Sequence, residues 1–421
     1  MITKMPRTSE RPVSWQQNLR AIWFAELIAI IGFAVVIPIL PLYVRELGVQ
    51  GEREVRIWSG VIFSAQAVTM AIFGPIWGAI SDRYGRKLMV ERAMFAGSIV
   101  MTLMGLARSP QQLALLRALQ GCLTGTTTAA TALVASSAPS ERAGYALGTL
   151  QMAIYVGASA GPLVGGVVAD TFSYRSAFFV TGALILVAAL GVLIFVQEPS
   201  SSKEIRSQAR ESEDGQSTLI QRSWRHLAPV LASAPLVAVL GVRLAMRLAS
   251  RLPRPTLPLF VESLAPPGTR IATMTGLISG ASALAAAVGG RQLGQLGDRV
   301  GYRSVMAACA LGSVLCYLPQ SMVEHAWWLI PLQAGTGLAM GGIVASISAS
   351  LAALSPEGRE GIVYGVDASV VSIANAIGPM TGSALAAWLG LRTPFLAAAV
   401  VFAAGGIVAL HLLPSPRAST P

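Results

Sequence analysis

Gly78-Ala79-Ile80-Ser81-Asp82-Arg83-Tyr84-Gly85-Arg86-Lys87 recurs 216 residues later as Gly294-Gln295-Leu296-Gly297-Asp298-Arg299-Val300-Gly301-Tyr302-Arg303. Both copies read G-x-x-x-D-R-x-G-x-[KR], and both lie between two long apolar stretches. A polar hinge that occurs twice in a very apolar chain marks two homologous membrane bundles.

The wider sequence agrees. Of 421 residues, 53% are apolar and only 12% charged, far from a typical soluble domain. Twelve apolar windows long enough to cross a bilayer follow one another, at 19–42, 57–80, 88–107, 110–135, 143–168, 175–196, 228–260, 271–296, 304–319, 327–352, 361–388 and 393–414. The expected fold is all-α and integral to the membrane: twelve transmembrane helices in two pseudo-symmetric six-helix bundles.

The bundles are placed at 19–196 and 227–414, with tails at 1–18 and 415–421. Between them, 197–226 is Ser-rich and of mixed charge, as in Ser200-Ser201-Ser202-Lys203-Glu204. That composition supports no core and predicts a linker.

Further landmarks align at an offset of 217. Pro41-Leu42-Tyr43-Val44-Arg45-Glu46-Leu47 matches Pro258-Leu259-Phe260-Val261-Glu262-Ser263-Leu264, and Gly161-Pro162-x-x-Gly165 matches Gly378-Pro379-x-x-Gly382. The halves therefore run parallel, related by an axis along the membrane normal. A bundle of that kind carries its substrate site near midplane, between the halves.

The net charge of +11 raises nucleic acid as a partner, but the basic residues follow topology instead. With the N-terminus inside, 19 of the 31 Lys and Arg fall on the inner side, seven on the outer side and five within spans. This bias predicts a multi-pass cell-membrane protein with both termini cytoplasmic. Cys122, Cys309 and Cys316 lie in apolar stretches and read as packing. No phosphate-binding loop, metal-ligand spacing or nucleophile–base constellation is present, so neither a cofactor, a metal nor an enzyme activity is expected. The short outer loops offer no docking domain, and a monomer is expected.

The duplicated hinge, Arg117-x-x-Gln120-Gly121, and Gly157-x-x-x-Gly161-Pro162-x-x-Gly165-Gly166 resemble the major facilitator superfamily, in its twelve-helix drug:proton antiporter branch. The resemblance covers essentially the whole chain. It implies alternating access and efflux of small organic molecules coupled to protons across a bacterial inner membrane. It also implies a gating role for Gly78, Asp82, Arg83, Gly85, Arg86 and Lys87. Gly294, Asp298, Arg299, Gly301 and Arg303 form the second copy, in which Tyr302 stands where the first has Arg86. In the family the aspartate equivalent to Asp82 docks on the start of the eleventh span when the transporter faces outward. The arginine equivalent to Arg117 is linked to proton coupling.

Intramembrane charges are the sharpest signal from the residues themselves. Well inside the spans lie two acids, Glu26 and Asp367, and five arginines, Arg117, Arg243, Arg247, Arg251 and Arg254. Five cations and two anions do not neutralise one another, so some must face water or an anionic ligand. Arg243, Arg247, Arg251 and Arg254 occupy an arc of about 80° on one helix face. Arg243, Arg247 and Arg251 are candidate substrate ligands; Arg254 lies where snorkelling explains it, and snorkelling is the alternative for Arg251.

Glu26 aligns with Arg243. Burial favours its neutral form and a neighbouring arginine its ionised form, so it is a candidate proton carrier; a fixed ion pair with Arg243 or Arg247 is the alternative. Arg117 aligns with Gln333, and either takes part in coupling or pairs with a carbonyl or with Glu26. Asp367 either relays between hinge and cavity or pairs with Arg83. Gly157, Gly161, Gly165 and Gly166 read as one small-residue face, kinked at Pro162, that packs helices and seals the seam between halves.

Three readings of cargo stay open: many lipophilic drugs; one anionic metabolite such as a siderophore; or an importer or phosphate-linked exchanger. The arginine stripe fits the second better than cationic drugs, and Glu26 in the first span weakens the third.

Overall fold

A computed structural model describes residues 15–139, 142–197, 233–356 and 360–412. All of the linker beyond Gln197 up to residue 226, and the C-terminal tail, lie outside the described residues. In hydrocarbon every backbone polar group needs an internal partner, so long apolar segments become helices. Fifteen α-helices are present among the described residues. The first half holds α1 (Trp15–Val35), α2 (Leu40–Glu46), α3 (Glu52–Tyr84), α4 (Arg86–Gly105), α5 (Pro110–Leu123), α6 (Thr126–Ser137), α7 (Ala143–Thr171) and α8 (Tyr174–Phe195). The second holds α9 (Ala234–Arg251), α10 (Leu257–Leu264), α11 (Ile271–Val300), α12 (Tyr302–Gln320), α13 (Leu329–Leu354), α14 (Glu360–Leu389) and α15 (Thr393–Leu412).

Three spans are each made of two helices. The first breaks between α1 and α2 at Pro38, and the seventh between α9 and α10 at Pro253 and Pro255. Proline removes a donor and clashes with the preceding turn, so these breaks follow directly from sequence. The fourth span breaks between α5 and α6, where Gly125 has φ +142°. Only glycine takes that conformation without strain. The aligned span, α13, is continuous.

Packing inside each half repeats at the 217 offset. A Cβ on Gly161 would meet Ala34 and the Ile31 carbonyl, and one on Gly378 would meet Arg251 and the Leu248 carbonyl. Gly165 sits on the backbone of Val35, and Gly382 on that of Leu252. The fifth span is thus held against the first in the same way as the eleventh against the seventh.

The halves meet along two seams, α7 on α11 and α14 on α3. Gly166 packs on Ala272 and Thr273, Gly276 on the Pro162 carbonyl, and Gly60 on Ser383 and the Pro379 carbonyl. These contacts lie in the part of the bundle away from the hinges. Toward the hinges, Gly74, Gly78, Gly144, Gly148 and Gly365 face open space. The cleft between the halves is therefore closed at the far end and open at the hinge end.

This corrects the expectation of a single glycine face. Gly157, Gly161 and Gly165 pack on α1 within their own half, and of these four glycines Gly166 alone meets the other half. Gly166 is one residue past the four-residue repeat, about 100° around the helix.

Candidate functional site

Both hinges turn at a glycine. Gly85 (φ +111°) joins α3 to α4 and Gly301 (φ +91°) joins α11 to α12. The basic residue after each is tied to the last helix of its half. Lys87 Nζ donates to the Leu193 carbonyl at 3.1 Å, and the Arg303 guanidinium donates to the Leu410 carbonyl. Arg86 Nη1 donates to the Ala132 carbonyl at 2.8 Å. In the second copy the Tyr302 hydroxyl donates to Asp298. Arg299 is exposed. Of Asp82 and Arg83 only the helical backbone is described.

At midplane the first half holds a lone acid. Glu26 is fully buried, and its Oε1 accepts a hydrogen bond from Thr127 Oγ1 at 2.7 Å. Its Oε2 is buried without a partner. The Gly125 break sets Thr127 at this position. Expected partners of Glu26 lie elsewhere. Arg117 is buried, donates from Nη1 to Gln120 Oε1 at 2.7 Å, and stands 5.8 Å from the Phe63 ring. Pairing of Arg117 with Glu26 is not formed, nor is pairing of Glu26 with Arg243 or Arg247.

The second half holds a ladder. Arg243 Nε lies 3.0 Å from Asp367 Oδ1, and its Nη2 donates to Oδ2 at 3.2 Å. Arg251 Nε donates to Asn375 Oδ1 at 2.7 Å. Both rungs join α9 to α14 across 124 residues. They are two helical turns apart because α9 and α14 run parallel. Asp367 is thus the partner of Arg243, which corrects its expected pairing with Arg83. Arg247 lies between the rungs, partly buried, with Nε unpartnered and no hydrogen-bond or ion-pair partner among the described residues. Arg254 lies in the break, between Pro253 and Pro255, and is exposed.

The far end carries bonds between the halves that the sequence reading missed. Arg45 Nη1 meets Glu262 at 2.6 and 2.7 Å, and Arg45 Nη2 meets Glu52 at 2.7 Å. Arg45 and Glu262 are aligned positions, 217 residues apart. A residue near a pseudo-twofold axis meets its own counterpart, so the alignment itself held the signal. Asp170, at the end of α7, accepts from the backbone N–H of Ala272 at 3.3 Å and Thr273 at 2.7 Å. A carboxylate there completes the first turn of α11 and opposes its positive end. On the other seam Arg56 Nη1 donates to the Ala386 carbonyl at 3.0 Å. Ser159 Oγ donates to the Gly280 carbonyl at 2.9 Å, near midplane.

Arg247 thus offers a cation and Glu26 an acid, each without an ion-pair partner among the described residues. Among the described residues no group of His, Cys, Asp and Glu is suited to a metal.

Known proteins show the same pattern over the full length. The sequence profile described as Major Facilitator Superfamily matches residues 22–265 and 239–421. The chain is 36% identical over 398 residues to the multidrug resistance protein MdtG of Enterobacter lignolyticus, covering 94% of this chain and 91% of that one. It is 34% identical over 400 residues to MdtG of Salmonella typhimurium, covering 93% and 94%. Among solved structures, the bacterial homolog of the human lysosomal transporter Spinster, inward-facing and occupied, superposes with a TM-score of 0.75 at 16% identity, over 95% of this chain and 98% of that one. The nucleoside transporter NupG gives 0.76 at 11% identity, over 95% and 100%. With the duplicated hinge, the repeated packing and a family profile spanning both halves, this chain belongs to the major facilitator superfamily.

Proposed function

We propose that this protein is a proton-driven exporter of small organic molecules, working by alternating access as a monomer in the bacterial inner membrane. The relatives named multidrug resistance proteins support efflux. The positive-inside bias puts both termini and the hinges in the cytoplasm, so the open end of the cleft faces inward.

One observation carries the coupling: Glu26 is wholly buried, with one donor and no cation partner among the described residues. A carboxyl inside the bilayer with no fixed cation beside it is placed to bind and release a proton as each side of the membrane reaches it in turn. The cycle uses that placement. Cargo enters the inward-facing cleft and contacts Arg247, while Glu26 gives up its proton to the cytoplasm. The far-end bonds of Arg45 and Asp170 then part, and the hinges close the inner end, with Asp82 docking on α14. Outside, cargo leaves, Glu26 takes a proton, and the emptied cleft returns.

Arg117, buried near the same break, positions α5 against α3 for this motion. Asp367 holds Arg243 in place, so Arg243 and Arg251 frame the cargo and Arg247 binds it. The favoured cargo is a broad set of organic molecules bearing an acidic group, because an unpaired arginine in low dielectric attracts anions and repels cations.

The test is uptake into inverted membrane vesicles of a panel of cationic dyes and organic anions, with and without a pH gradient. Gradient-dependent uptake with preference for the anions is expected. Uptake indifferent to the gradient would overturn the proposal.

A further inference from the structure

The outer surface of the first half carries a groove that the transport cycle does not use. It lies between α1 and α8 and encloses about 540 Å³. Phe24, Ile28, Val187, Gly191 and Phe195 line it, with Arg20 toward its hinge end. Glu26 is buried in the bundle, whereas Arg20 and Phe24 are exposed, so the groove faces away from the cleft.

Its depth fits a lipid. Asn18 Nδ2 donates to the Gln197 carbonyl at 2.8 Å, and its Oδ1 accepts from the Gln197 N–H at 3.0 Å. These bonds join the start of α1 to the residue just past α8. Arg20 thus stands where the helices leave the hydrocarbon, at headgroup level. From the level of residue 17 to Ile28 the groove runs about 16 Å, close to the depth of one leaflet.

Its chemistry fits an anionic lipid. Arg20 is exposed and has no hydrogen-bond or ion-pair partner among the described residues. A guanidinium at an interface binds phosphate bidentately. Gln17 lies at the same end as Arg20, and the remaining lining is apolar and matches an acyl chain. Gly191 keeps the groove open, because a Cβ there meets no atom within 4 Å.

We propose that this groove holds one anionic phospholipid of the leaflet on the hinge side, its phosphate on Arg20 and one acyl chain between α1 and α8.

The test is native mass spectrometry of the full-length protein in detergent, titrated with phosphatidylglycerol or with phosphatidylcholine of the same chains. The wild type should retain one phosphatidylglycerol, with a preference of about fivefold, as expected for one arginine near a membrane surface. Arg20→Ala should erase the preference and Arg20→Lys should keep most of it. Gly191→Leu, whose Cβ meets no atom within 4 Å, should fill the groove and lose both lipids while keeping the wild-type melting temperature. Equal retention of both lipids by the wild type would overturn the proposal. So would a phosphatidylglycerol adduct that survives Gly191→Leu, or a wild-type dimer that Gly191→Leu splits. None of these readouts depends on transport.

Discussion

Positions 26 and 243 are the same place in the two halves, yet one is a glutamate and the other an arginine. Around them the halves agree closely. Gly161 and Gly165 seat the fifth span on the first as Gly378 and Gly382 seat the eleventh on the seventh. Lys87 and Arg303 tie the hinges to Leu193 and Leu410 in the same manner. The charged residues break this agreement. Arg247, Arg251 and Arg254 align with Ile30, Ala34 and Ile37, Arg117 with Gln333, and Asp170 with Ala387. Packing is therefore duplicated, and charge is not. A symmetric scaffold gives two equivalent ends for the cleft, and in the proposed cycle asymmetric chemistry gives the halves separate tasks: a proton in the first, an anion in the second.

The hinges test this comparison most severely. Asp82→Asn should abolish transport while the protein still inserts. Asp298→Asn should slow it by less than about tenfold (about 1.4 kcal/mol), since Tyr302 already holds Asp298 within its own loop. Transport rates of the two variants, set against their membrane levels, decide the matter. Equal losses would mean that the hinges do the same work.

The ladder comes next. Arg247→Ala should weaken binding of an organic anion about tenfold or more, the value of a charge-assisted hydrogen bond, as read by titration calorimetry. Its counterpart change, Ile30→Ala, should leave anion affinity unchanged. Arg243→Ala strands Asp367, so it should impair folding, and Arg243→Ala with Asp367→Asn should recover it. Arg254→Ala should have little effect on affinity. Equal losses along the stripe would show that Arg247 has no special role.

The far-end pair is the smallest expected effect. Arg45 and Glu262 are each about a third exposed, so their bond contributes about 0.2–1 kcal/mol. Glu262→Gln should shift the balance between inward- and outward-facing forms about two- to fivefold toward outward. Distances between spin labels on the outer ends of α3 and α14 read that shift.

The duplicated parts were the legible parts. Hydropathy gives the spans, a constant offset gives the pairing of halves, and Pro38, Pro253 and Pro255 mark two of the three breaks. The third was hidden because Gly125, between Thr124 and Thr126, lies inside one span-length window with no proline to mark the break, and its consequence, Thr127 against Glu26, lies 101 residues away in sequence. Asp367 was visible as a buried acid, but its partner depends on how α9 packs along α14, which no local pattern states. Asp170 lay at a span end, where an acid calls for no explanation. Arg45 and Glu262 were aligned by the repeat, and only the position of the axis turns that alignment into a contact.

Glu26→Gln tests the division of labour most directly. Glutamine matches the protonated carboxyl in size and still accepts from Thr127, but it has no proton to release. In proteoliposomes the variant should bind the organic anion and exchange it across the membrane at equilibrium. It should fail to concentrate the anion when a pH gradient is imposed. Accumulation at the wild-type rate and level would contradict the account, and would leave Asp367, held by Arg243, as the remaining buried acid of the cleft.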